Sequence, residues 1–218
     1  MTETLTREIP LVAAEAALII IDVQNFNVTA AGGEYKDMDP AAVEATYGWH
    51  FRELQSRTIP NLQRLQAACR KAGVEVLYTT IESLTKDGRD RSLDYKITGF
   101  NVPKGSWDGK VIDELAPLED EIWLPKSSSS VFVSTHIDYI LRNLGVRQVM
   151  IAGLLTDQCV ESAVRDACDL GYLVTQVTDA CASVTQERHE QSLRTIKGYC
   201  RQVTTETVVR ELGGKTRS

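Results

Sequence analysis

Short apolar, β-branched runs recur along the chain at Ala17 to Asp22 (ALIIID), Val74 to Thr80, Glu121 to Leu124, Gln148 to Ala152 and Tyr172 to Val177. Each has the length and composition of a strand. The first is apolar without alternation, the pattern of a strand covered on both faces. Between the runs, apolar residues fall at helical spacing. Ile59, Leu62, Leu65, Cys69 and Ala72 form one stripe that stops at Gly73; Ile137, Ile140, Leu141 and Leu144 form another before Gly145; Val160, Ala163, Val164, Ala167 and Leu170 a third before Gly171. A glycine able to take the left-handed conformation ends a helix in this way.

Strand and helix therefore alternate along the chain, and parallel strands need such crossovers. The expected fold class is α/β: a single doubly wound, Rossmann-like three-layer α/β/α domain over residues 1–218, with a mainly parallel sheet of about six strands. Residues 25–57 and 82–117 show no clear period and read as loops and insertions over a site. Val208, Val209 and Leu212 suit the core or a partner equally.

Composition narrows the function. With 43% hydrophobic and 25% charged residues, the 218-residue chain is an ordinary globular protein and not a disordered one. Lys and Arg number 24 against 30 acidic residues, a net charge of −6 with no basic tract, so nucleic acid is not an expected partner. The longest apolar run, residues 16–21, is far short of the roughly 20 residues that cross a bilayer, and no signal pattern opens the chain. No membrane association is expected and the expected location is cytoplasmic. Cys69, Cys159, Cys168, Cys181 and Cys200 form an odd set without a C-x-x-C pair, so they are expected as thiols. His50, His136 and His189 belong to no motif with metal-ligand spacing. No metal and no cofactor are expected.

In an open α/β sheet, ligands sit at the carboxyl ends of the strands. The first strand runs into Asp22, the third is followed by Lys126, and the fourth leads through Gly153-Leu-Leu-Thr-Asp-Gln158 to Cys159 at a helix start. Singly, these residues have plain readings: a turn aspartate, a surface lysine, a buried small thiol. Together they are what thiol catalysis needs. A free cysteine, with a pKa of about 8.5, supplies little thiolate at neutral pH, and the start of a helix is expected to lower that value. Asp22 would take the thiol proton and pass it to a leaving nitrogen, Lys126 would stabilise the charged pair, and first-turn amides would cradle an oxyanion.

These residues resemble the isochorismatase-like cysteine hydrolases. The matches are Ile20-Ile-Asp-Val-Gln-Asn25, Leu124-Pro-Lys-Ser-Ser-Ser-Ser-Val-Phe132 and Gly153-Leu-Leu-Thr-Asp-Gln-Cys-Val-Glu-Ser162, in the family's order and spacing, over about residues 16–205. The resemblance implies Asp22 as acid-base, Lys126 as stabilising cation and Cys159 as nucleophile. It also implies a non-proline cis peptide between Leu155 and Thr156, with the Thr156 and Cys159 amides as oxyanion donors, and assembly as a homodimer or homotetramer.

Isochorismate-cleaving members act on a vinyl ether and can lack the cysteine, so Cys159 favours an amide or ureido carbonyl. Nicotinamidases carry a histidine-rich metal motif after the second strand; residues 79–89 here contain no histidine, so neither zinc nor nicotinamide is expected. Lys104-Gly-Ser-Trp-Asp108 followed by Asp113-Glu-Leu115 is similar to ureidoacrylate and N-carbamoyl amidohydrolase-type members. Where the family has an aromatic five residues after the acid, this chain has Asn27.

The expected function is thus cysteine-dependent hydrolysis of a linear carbon–nitrogen bond in a small amide or ureido compound through a thioester. Candidates for substrate contact are Gln24, Asn27, Glu82, Trp107 and Gln158. Gln24 also suits a structural hydrogen bond and Trp107 plain packing, while Arg89 and Arg91 read as members of a solvated loop. The alternatives are vinyl ether hydrolysis and a non-catalytic, thiol-reactive binding protein on the same scaffold. Dinucleotide binding is disfavoured, because residues 23–33 lack G-x-G-x-x-G.

Overall fold

The computed structural model describes residues 5–213. Six strands form one sheet: β1 (Ala16–Ile21), β2 (Glu75–Ile81), β3 (Ile122–Lys126), β4 (Gln148–Leu154), β5 (Leu173–Ala182) and β6 (Arg201–Val203). Every pairing is parallel and the order is β3-β2-β1-β4-β5-β6. Helices α1 (Asn25–Val28), α2 (Pro40–Glu53), α3 (Ile59–Ala72), α4 (Leu93–Ile97), α5 (Val131–Ser134), α6 (Ile137–Asn143), α7 (Glu161–Asp169), α8 (Gln186–Ile196) and α9 (Thr205–Gly213) make the crossovers and the elements around the sheet. The expected doubly wound α/β architecture is present. No helix among the described residues is long and apolar enough to cross a membrane.

All residues of β1 and β4, the central strands, are buried, which is why both read as uninterrupted apolar runs. Helices α3, α6 and α7 end where expected, with Gly73, Gly145 and Gly171 at φ of 69°, 73° and 92°. Of the last apolar positions, Val208 of α9 is fully buried and Leu212 packs half-buried against the core, whereas Val209 is half-buried on the face toward α3, on which α9 packs.

Residues 25–57 depart from the expected loop. Asp39 caps α2 by accepting from the Ala41 and Ala42 amides, and Pro40 opens it, a standard helix start. A wide, π-type turn over Leu54–Thr58 joins α2 directly to α3. The inward positions of α2 are Val43, Gly48 and His50, so it carries no apolar stripe for a periodicity argument to find. By contrast, residues 82–117 are largely irregular, as expected, with α4 and two short tight turns.

At Gly153, φ is 118°, and a Cβ there would lie 2.1 Å from the Ile21 carbonyl oxygen of the neighbouring strand. β4 must pass this close to β1 for the two strand ends to meet. Gly153→Ala is therefore expected to destabilise the protein by about 2–3 kcal/mol, from backbone strain plus overlap. Unchanged chemical denaturation of that variant would refute the close approach.

Candidate active site

The order of the sheet reverses direction between β1 and β4, and a crevice forms outside the strand ends at such a switch. Asp22 stands at the end of β1 with φ of 52°, in the left-handed region that few side chains other than glycine, asparagine and aspartate visit. Its amide still donates to the Thr79 carbonyl of β2 at 2.9 Å, so the chain turns while held to the sheet. Its carboxylate is held from two sides: Thr79 Oγ1 donates to Oδ1 at 2.9 Å, and Lys126 Nζ lies 2.8 Å from Oδ2.

Lys126, the last residue of β3, is fully buried. Its ammonium also donates to Cys159 Sγ at 3.3 Å and to the Ser128 carbonyl at 2.9 Å. The Cys159 sulfur and the Asp22 carboxylate share the Lys126 ammonium. Three residues far apart in sequence thus meet in one pocket, each at most 4% exposed.

Burial sets their proton affinities. It raises Asp22 above the ordinary carboxylate range despite the pull of Lys126. Burial alone would strip Lys126 of its proton, but the facing Asp22 outweighs it and holds the ammonium charged. Burial pushes the Cys159 thiol up to about 12, with Lys126 opposing and Asp22 adding to the rise. The expectation of a helix-lowered thiol is therefore corrected: the resting sulfur is so thoroughly desolvated that the helix start does not prevail.

The turn carrying Cys159 also differs in detail from expectation. The cis peptide lies between Leu154 and Leu155, one bond before the expected Leu155–Thr156 position. In the same turn Val160 N donates to Leu155 O across five residues, a wide, π-type bend that leads into α7.

This turn is braced from α8. Thr156 Oγ1 lies 2.8 Å from His189 Nδ1, and Ser192 Oγ donates to the Thr156 carbonyl at 3.1 Å. Asp157 accepts from Ser183 Oγ and pairs with Arg188 at 2.6 Å. None of these partners was singled out in the sequence: Ser183 follows β5 and His189, Arg188 and Ser192 lie on α8, and only the fold brings them to the turn.

The candidates for substrate contact divide. Gln24 is fully buried and committed at both ends: its Nε2 donates to the Ile81 and Asp108 carbonyls at 2.9 and 3.0 Å, and its Oε1 accepts from Ile81 N at 2.6 Å. It is a strut between β2 and the loop above it and has no amide atom free for a substrate. Glu82 accepts from Gly105 N at 2.9 Å, and Trp107 is half exposed, with its carbonyl taken by Asn25. Gln158 is exposed on the turn. Asn27 is buried beside Asp22, where its Nδ2 donates to the Asp22 carbonyl at 3.2 Å. Arg89 pairs with Asp87 in solvent, and Arg91 clamps the Gly88 and Phe100 carbonyls at 2.8 Å each.

Tyr95 went unnoticed in sequence. It is the buried residue of α4, its ring packed on Phe100 with centroids 4.8 Å apart, and Phe100 meets Phe26 at the same separation. The Tyr95 phenol stands among the site's ionisable groups, within the electrostatic reach of Lys126, Cys159 and Asp22. A tyrosine four residues before the Gly99-Phe100 pair carries no local motif, so only the fold reveals it.

Among the described residues there is no group of three or more histidine, cysteine or acidic side chains able to hold a metal. The arrangement brings a thiol, a carboxylate and a buried ammonium together at the strand ends.

The family model "Isochorismatase domain" matches residues 16–208. The chain is 31% identical over 188 residues to the ureidoacrylate amidohydrolase RutB of Rhizobium rhizogenes, covering 79% of this chain and 72% of that protein. It is 30% identical over 208 residues to RutB of Acinetobacter baylyi, covering 88% and 80%. Among solved structures, a cysteine hydrolase from Pseudomonas syringae pv. phaseolicola superposes with a TM-score of 0.81 at 25% identity, covering 98% of this chain and 99% of that one. N-carbamoylsarcosine amidase from Thermoplasma acidophilum shares the fold, with a TM-score of 0.66 at 24% identity over 88% and 97% of the two chains.

Proposed function

The chain belongs to the isochorismatase family, and from that premise we propose that it is a cysteine-dependent hydrolase of a linear carbon–nitrogen bond in a small amide or ureido compound, acting through a thioester. The observation that carries this reading is Lys126 Nζ held 2.8 Å from Asp22 Oδ2 and 3.3 Å from Cys159 Sγ in one buried pocket. Likeness to RutB supports the amide or ureide class of substrate.

In the first half-reaction the Cys159 proton passes to Asp22 as sulfur attacks the carbonyl carbon. Burial makes Asp22 a stronger base than an ordinary carboxylate, which brings donor and acceptor closer in proton affinity. Before transfer Lys126 faces a carboxylate, and after it a thiolate. The pocket keeps one cation and one anion throughout, so no uncompensated charge is created out of water. Backbone amides of the first turn around Cys159 hold the oxyanion. The carbon–nitrogen bond breaks as Asp22 returns the proton to the leaving nitrogen, leaving a thioester. Asp22 then takes a proton from water as its oxygen attacks the thioester; the carbon–sulfur bond breaks and Asp22 returns that proton to the sulfur, which frees the acid and restores the thiol and the carboxylate.

The same geometry counts against a redox-responsive binding protein, because a sensor thiol is exposed and easily ionised, whereas this one is 4% exposed and raised to about 12. The retained cysteine counts against vinyl ether cleavage.

The test is product release from N-carbamoylglycine, N-carbamoyl-β-alanine and benzamide, with acid-quenched samples weighed by mass spectrometry for an acyl adduct on Cys159. The acid limb of the kcat/KM profile is expected above the ordinary aspartate value of about 3.9, because the base must be deprotonated and its affinity for protons is raised. Turnover without an adduct on Cys159, or an acid limb at or below that value, counts against the mechanism.

A further inference from the structure

All but one of the hydrogen-bonding groups of Asn27 have partners. Its backbone N–H donates to Gln24 O at 3.3 Å, and its carbonyl accepts from Tyr35 Oη at 3.0 Å and lies 3.2 Å from His50 Nε2. Its Nδ2 donates to the Asp22 carbonyl at 3.2 Å. That contact fixes which end of the amide is nitrogen, since a carbonyl oxygen there would face another carbonyl. One group remains. Oδ1 is buried, has no hydrogen-bond partner, and belongs to a residue only 6% exposed.

A buried acceptor left empty costs about 1–3 kcal/mol, so such atoms are rare outside functional places. Of the other side-chain atoms in the same condition among the described residues, Asp22 Oδ2 faces the Lys126 ammonium at 2.8 Å, while Thr58 Oγ1, Ser106 Oγ and Gln176 Nε2 lie on residues with no hydrogen bond to Asp22, Lys126 or Cys159. Asn27 alone is tied directly to the acid, through the Asp22 carbonyl. Because Asp22 turns with φ of 52°, its backbone carbonyl and its carboxylate are both engaged at the strand end, and the Asn27 amide sits against that turn.

We propose that Asn27 is a specificity-determining residue whose Oδ1 accepts a hydrogen bond from an N–H of the scissile amide or ureide. The inference rests on the reading of the chain as a carbon–nitrogen hydrolase and deepens it. An amide or ureide nitrogen bearing hydrogen fills the orphan acceptor. An ester or ether oxygen at the same place has no hydrogen to give and sets two lone-pair oxygens against each other. The residue thereby selects nitrogen over oxygen at the bond that Asp22 protonates, where an aromatic side chain would offer only shape.

The experiment compares N-methylbenzamide with methyl benzoate, which differ only in N–H against O at that atom, in the full-length wild type and in Asn27→Leu. The readout is the ratio of the two kcat/KM values. The ratio is expected to fall by about 10- to 100-fold in Asn27→Leu, the loss that follows removal of one buried polar contact matched to a substrate N–H. If Asn27→Leu does not fold, Asn27→Ala is measured in the same way. A parallel fall in both substrates that leaves the ratio in place assigns Asn27 a structural role and overturns the proposal, as does a ratio unchanged with neither substrate affected. Failure of the underlying reading looks different: the wild type then turns over neither benzamide nor the two carbamoyl compounds, whatever stands at position 27.

Discussion

Cys159→Ala is expected to lower turnover of any amide or ureide substrate by at least about 10⁴-fold, because removal of a nucleophile that works as a unit with its base forfeits the covalent route entirely. Nothing nearby substitutes for the sulfur. Asp22 is turned toward Lys126 and Thr79, and Lys126 is kept protonated by the carboxylate it faces. The same variant is expected to fold, since the side chain is small and the change deletes one sulfur atom from a packed turn. Cys159→Ser is expected to be nearly as inactive, because a buried hydroxyl holds its proton more tightly than a thiol already raised to about 12. Rates measured on the N-carbamoyl panel beside a circular dichroism melt separate the two effects. A variant within tenfold of wild type defeats the thioester route.

Lys126→Met carries the largest expected cost in stability, about 3–5 kcal/mol, because it leaves the Asp22 carboxylate buried without its counter-ion. The pH dependence follows from the direction of the Asp22 shift. A carboxyl raised in the folded state binds its proton more tightly there than in the unfolded chain, so stability falls as pH rises from the unfolded value through the folded one. Without the cation that window widens upward. The defect of Lys126→Met is therefore expected to shrink in acid, where the neutral carboxyl needs no partner. Asp22→Asn with Lys126→Met removes both charges and is expected to recover most of the loss, as replacement of whole buried pairs does elsewhere. Denaturant melts of the single and double variants at neutral and acid pH decide the matter. Additive losses in the double variant would show that the pair is not coupled.

Much of this architecture was legible before any coordinates. Gly73, Gly145 and Gly171 marked three helix ends because nothing but left-handed backbone could follow there. The central strands were plain because both of their faces are covered. The meeting of Asp22, Lys126 and Cys159 could be argued from where strands end, a rule of parallel sheets that needs no side-chain geometry.

What escaped notice has physical reasons too. Helix α2 turns Gly48 and His50 inward, so no apolar stripe announces it, although Asp39-Pro40 was a readable start. β6 spans three residues at the sheet edge, too few for a pattern. The cis bond at Leu154–Leu155, one bond before the expected position, is a feature of the backbone that no residue type there marks. The thiol was expected to be acidified because the helix start is visible in sequence, whereas the depth of its burial is a property of the whole fold. Tyr95 and the α8 supports at His189 and Ser192 reach the site only through tertiary contact.

The covered, proton-bearing sulfur has a consequence for the protein between catalytic cycles. Electrophiles and oxidants react with thiolates, and a sulfur that gives up its proton only to a neighbour engaged in attack presents none to passing reagents. On the proposed mechanism, idle molecules are accordingly expected to resist peroxide and alkylating agents through the same desolvation that raises the proton affinity of their carboxylate. Protection and reactivity come from one dry cavity, and the arriving client is what converts the first into the second.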